Sequence, residues 1–161
     1  MSLEQLSFMA QIISALAVVA SLIFVGYQLK HAAAAIRVSS SQAHSALYTD
    51  LVRSVIDNAD FAAVWAAAIR DPKAVSEADW VRFVAYASAL FRLYESSRVQ
   101  WLNGRLDREH WGTIERQAGD FRRLPGLQKA WQLRSHWYSP EFRSWFDGLP
   151  HTSSTEPYER D

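Results

Sequence analysis

Glu95 stands in FRLYESSRVQW, inside an otherwise strongly apolar helical pattern. A carboxylate near a core needs a base or hydrogen-bond donors, because burial strips its hydration. Arg92 and Arg98 lie three residues to either side, and Arg116, Arg122 and Arg123 belong to the next helical stretch. Two roles fit this setting. Glu95 is either a structural ion pair or a ligand-facing group in a pocket with Tyr94 and Trp101 beside it. General-acid catalysis would further need a proton-transfer partner within reach and a matched pKa, and the spacing supplies neither.

The five histidines are His31, His44, His110, His136 and His151. None forms HExxH or another close metal-ligand pattern. His110 follows Glu109, but adjacent helical residues face different ways. His136, near Trp131 and Tyr138, reads as a partly buried polar residue at an interface or helix end. No GxSxG elbow presents a serine nucleophile, and no glycine-rich loop could cradle phosphate. Cysteine is absent, which excludes disulfides, thiolate catalysis and cysteine metal sites, and fits a reducing compartment. No catalytic, cofactor or metal residue is therefore expected, and the chain reads as a non-enzyme. A membrane enzyme remains the weakest alternative. It would require Glu95 with His110 or His136 around one accessible pocket.

The elements that must position these residues are all helical. Residues 8–27 run for twenty positions without a formal charge. At about 1.5 Å per residue such a helix spans about 30 Å, one hydrocarbon core. A secretory signal would carry a basic leader before a shorter apolar region. Here the leader MSLEQLS holds Glu4 and no Lys or Arg, and the basic residues Lys30 and Arg37 follow the apolar run. This favours a retained single-pass anchor with its N-terminal side outside and the main domain in the cytoplasm. Ala10, Ser14, Ala17 and Ser21 fall on one helix face at spacings of four, three and four. Small residues in that arrangement let a second membrane helix approach closely.

Beyond the anchor, neither Pro nor Gly interrupts residues 28–60. Ile36, Ser40, Ala43, Leu47, Leu51 and Val55 keep helical spacing, so the first helix is expected to continue to about Ile56 unless SSSQ at 39–42 breaks it. A short helix is expected over 61–70, ended by Asp71 and Pro72. Ser76 caps a long helix with Asp79 in its first turn, and Gly104 ends it. Asp107 caps a helix to about Arg123. Pro125 and Gly126 separate that helix from LQKAWQLRSHWY. Ser139 and Pro140 open a short last helix. No run reads as a strand. The fold class is all-α: one N-terminal transmembrane helix continuing into a small helical bundle. The division is an N-terminal segment 1–30 with the membrane helix, an α-helical domain 31–149, and a flexible polar tail 150–161.

The opening MSLEQLSFMAQIISALAVVASLIFVGYQLK, the stretch FRLYESSRVQWLNGRLDREHW at 91–111 and, more weakly, WYSPEFRSWFDGL at 137–149 resemble a family of small, mostly uncharacterised bacterial membrane proteins. Glu95, Gly104, Leu106, Asp107 and Trp111 are the distinctive positions. The resemblance implies one N-terminal membrane helix, an α-helical domain and the bacterial inner (cytoplasmic) membrane. It carries over no active residue. Seventeen basic residues balance seventeen acidic ones, which gives no case for nucleic acid. The expected partners are membrane lipids and a membrane protein or a second copy. The expected function is a membrane-anchored interaction or accessory subunit, with a lipid- or small-molecule-binding membrane sensor as the alternative.

Overall fold

The structure, a computed structural model, describes residues 3–150. The expected tail, apart from Pro150, lies outside the described residues. Six α-helices and one short 3-10 turn account for most of the chain, and no strand occurs among the described residues.

Helix α1 runs Leu3–Ile56 without interruption. The serines at 39–42 do not break it. Hydroxyls in this part of the helix bond back to carbonyls one turn earlier, as Ser45 does to Ser41 O at 3.0 Å and Ser54 to Leu51 O at 2.7 Å. Glu4 in the first turn and Arg53 in the last both suit the helix dipole.

The chain divides into two compact units, Met1–Val38 and Ser39–Asp161. In the first, every large apolar side chain from Phe8 to Val25 is exposed, with Leu16 at 64%, Leu22 at 67% and Ile23 at 70%. This helix is long and apolar enough to cross a membrane. In water, each such side chain would forgo about 1.5–3 kcal/mol of burial. A surface of this kind belongs in an apolar medium, and the protein is a membrane-associated helical protein.

The second unit is a bundle around α3, Glu77–Leu102, which packs against α2 (Ala59–Ala68), α4 (Arg108–Arg122) and α5 (Pro125–Arg134). A 3-10 turn, Ser135–Trp137, leads into α6, Pro140–Asp147. Phe83, Ala87, Leu90, Phe91 and Tyr94 form the fully buried stripe of α3, at the three- and four-residue spacing that puts side chains on one helix face. Phe91 meets Trp131, Tyr138 and Phe146 edge to face, which locks α5 and α6 onto the central helix.

The helix ends follow the sequence signals. Asn58, Ser76, Asp107 and Ser139 accept hydrogen bonds from the backbone N–H of Phe61, Asp79, His110 and Phe142. Gly104, at φ +67°, takes the left-handed conformation that stops α3. Pro125 and Gly126 differ from expectation. They begin α5 instead of separating it from α4, because Pro125 occupies the first turn, where its missing N–H is not needed. Gly126 has no room for a side chain: an added Cβ would lie 2.1 Å from the Ala68 carbonyl oxygen. Its N–H instead donates to Ile69 O at 3.3 Å, tying α5 to the end of α2.

Candidate functional site

Ala10, Ser14, Ala17 and Ser21 all lie exposed on the helix of the first unit. Helical geometry keeps them on one face.

Glu95 is half-buried and sits at a junction of three elements. One carboxylate oxygen receives Arg92 Nη1 at 2.5 Å. The other accepts the Ser139 backbone N–H, at the start of α6, at 2.8 Å. Arg92 Nη2 donates to Trp137 O at 3.4 Å, and its guanidinium lies 4.7 Å from the Tyr138 ring centre. Tyr138 in turn donates its hydroxyl to Ser88 O at 2.9 Å, and burial pushes its phenol pKa upward. The arrangement clamps the segment before α6 onto α3.

Glu95 also borders a polar cleft of about 520 Å³ between α1 and α3. Ser39, Ser40, Arg92, Gln100 and Arg105 share its lining, and Gln100 Oε1 is buried with no hydrogen bond among the described residues. Tyr94 and Trp101 do not join Glu95 there. Successive helical residues turn by about 100°, so Tyr94 points into the core while Glu95 faces the cleft. Trp101 stacks on Trp111 with ring centres 5.9 Å apart, bracing the end of α3 against α4. A second, apolar groove of about 330 Å³ adjoins the first and is lined by Leu47, Leu51, Ala89 and Leu93, with Arg92 and Ser96 common to both.

The histidines each find a different neighbour. His31 packs on Tyr27, His136 on Trp137, and His110 on His44. His151 lies outside the described residues. Neither His110 nor His136 hydrogen-bonds Glu95, and no group of three or more potential metal ligands occurs among the described residues.

The sequence pattern missed one polar cluster. His44 is the only buried residue of α1 among the described ones, at 6% exposure. Its Nδ1 lies 2.6 Å from the hydroxyl of Ser97, which is fully enclosed and also bonds to Leu93 O at 2.8 Å. The His110 ring stands edge-on to His44, with centres 5.3 Å apart. Burial, and secondarily the His110 charge, lower the His44 pKa from 6.5 to about 4. The face of α1 that packs comprises Ser40, Ser41, His44, Tyr48, Leu51, Val52 and Val55, while Leu47 is 55% exposed. The steps from Ser41 through His44, Tyr48 and Leu51 to Val55 form a seam of threes and fours, which was the available signal.

Comparison of the chain with protein-family models, with curated proteins and with solved structures returns no match.

Proposed function

We propose that this protein is a membrane-anchored interaction or accessory subunit. Residues 8–27 lie in the hydrocarbon of the bacterial inner membrane, and the helical domain, residues 31–149, lies on the cytoplasmic side, where Lys30 and Arg37 hold the flank. The observation that carries this reading is the apolar surface of the first unit, on which every large apolar side chain from Phe8 to Val25 is exposed. Lipid covers most of that surface. The face bearing Ala10, Ser14, Ala17 and Ser21 suits close contact with a helix of a membrane protein or of a second copy. In the second unit, exposed Leu47 lines the apolar groove with Leu51 and Leu93, and exposed Val99 and Leu102 add apolar contact area elsewhere on α3. Tethering confines both partners to one membrane and raises their effective concentration.

Purification in mild detergent, followed by mass analysis of co-isolated protein and lipid, tests the proposal. A stoichiometric membrane-protein partner or a defined homo-oligomer is expected. Isolation only as a lipid-free monomer across gentle conditions would overturn it.

A second reading draws on the cleft beside Glu95. A membrane sensor for a lipid or small polar molecule would use Arg92, Arg105 and the Gln100 carbonyl to recognise its ligand. This reading expects a co-purifying small molecule that is lost in Arg105→Ala, while the protein partner is retained.

A further inference from the structure

We propose that His44, Ser97 and His110 form an acid-released latch that holds residues 39–56 of α1 against α3 and α4. The inference concerns only the second unit and stands whichever function holds.

The geometry sets one enclosed polar fastening within a half-buried face. Apart from His44, the packed face of α1 is only half-buried, through Ser41, Tyr48, Leu51, Val52 and Val55. Leu51 and Val55 pack on the core from this face, and His44 alone on it is buried. The ring of His44 is enclosed, bonded to a fully enclosed hydroxyl and set against a second imidazole. Ser97 has one proton. When that proton goes to Leu93 O, His44 Nδ1 donates to the serine oxygen, and the ring is satisfied in its neutral form.

Among the described residues no carboxylate pairs with His44 to compensate a proton on it. From α4 the ring meets His110, a second potential cation, whose Nε2 is buried without a hydrogen bond. Asp107, one turn before His110, spends its carboxylate capping the His110 backbone N–H. On α3 the nearby ionisable groups are Arg92, Glu95 and Arg98. Glu95 is held by Arg92 and Ser139, and Arg98 lies 5.1 Å over the Trp145 ring. Arg105, beyond α3, lines the cleft next to Ala43 and adds positive charge. Along α1 itself the nearest charges are Arg37 and Asp50, roughly two turns away on either side. A charged His44 is therefore buried beside cations and polar neutral groups, with its desolvation uncompensated.

The sign follows from linkage. A released His44 has its ordinary pKa of 6.5, and the packed one about 4. The released state binds more protons between these values, so acid favours release. From pH 7.5 to pH 5 the opening equilibrium rises roughly 30-fold. A helix stripped of packing frays, so opening is read in its amides.

Native-state hydrogen exchange on the full chain in detergent micelles tests this, with protection corrected for the intrinsic pH dependence of exchange. Amides of residues 44–56 should be less protected than those around Phe91. Their protection should fall roughly 30-fold between pH 7.5 and pH 5, and it should stay nearly flat in His44→Gln, which keeps a neutral donor for Ser97. Three results would overturn the latch: no fall in the native chain, an equal fall in His44→Gln, or protection of residues 44–56 no lower than that of the core. Should His44→Gln fail to fold, the imidazole titration of His44 in the native chain decides. A midpoint near 4 upholds the latch, and one near 6.5 overturns it.

Discussion

The two units use the same residue types in opposite ways. In the first unit, the Leu, Ile, Val and Phe side chains from Phe8 to Val38 all point outward. In the second unit, Phe83, Leu90, Phe91, Phe142 and Phe146 are almost wholly enclosed, and polar side chains cap and clamp the helices around them. A lone helix has no interior, so its apolar side chains can leave water only by entering lipid or meeting another helix. A bundle makes its own apolar medium, provided each polar group it encloses finds a partner. Loss of function should therefore arise differently in each unit: by adding charge to the first and by removing volume from the second.

The largest effect should come from charge in the anchor. Leu16→Arg with Leu22→Arg places two cations near the centre of the apolar run, at about 2.5–3.5 kcal/mol each on an insertion scale. The protein should leave the membrane fraction on sedimentation, while thermal unfolding of the bundle stays within a degree or two. Loss of bundle folding in this variant would break the contrast between the units.

Phe91→Ala is the converse. Removing the ring that Trp131, Tyr138 and Phe146 share should cost about 3–5 kcal/mol and lower the melting temperature by many degrees. Membrane association should remain. Gly126→Ala should follow, at roughly 1–3 kcal/mol, because the new methyl must displace the Ala68 carbonyl. Denaturant midpoints measured on the same preparation rank these two.

The pH dependence is smaller and has a defined sign. His44 has a folded pKa of about 4 against 6.5 when exposed, so its contribution is complete above about pH 6.5 and declines as pH falls. By pH 5 the bundle should lose about 2 kcal/mol on this account. The measurement is the difference between the native chain and His44→Gln in denaturant midpoint against pH. The smallest expected effect is at a cap. Ser76→Ala removes the acceptor of the Asp79 N–H and should cost about 1 kcal/mol, visible in chemical denaturation and invisible in membrane fractionation.

Much of the fold could be read in the chain because its signals are local. The uncharged run 8–27, the caps at Ser76, Asp107 and Ser139 and the stop at Gly104 each depend on a few neighbouring residues, and each element appears where its signal stands. The site was less legible. Glu95 stood out as a carboxylate in an apolar helix, and its first partner, Arg92, is three residues away on the same helix. Its second partner is the Ser139 backbone N–H, forty-four residues on. A main-chain donor has no residue type to betray it.

His44 and Ser97 are separated by fifty-three positions, and nothing in either local stretch marks them as a pair. The face of α1 that packs could not be read locally for a related reason. Ala43, His44 and Leu47 all fit a helical period, and only His44 is buried. Ser97 on α3 offers the His44 imidazole a hydroxyl and His110 on α4 a ring to pack on, so the polar residue goes inward.

Composition and periodicity alone determined that the chain is helical, that its first helix requires an apolar medium and that the remainder can enclose a core. These properties come from backbone propensity and from the separation of apolar and charged residues along the chain. Only the packed bundle decided which side chains face one another: Glu95 to Ser139, Gly126 to Ala68, His44 to Ser97 and His110. Those pairings depend on distances between elements far apart in sequence, and the packing of whole helices sets such distances.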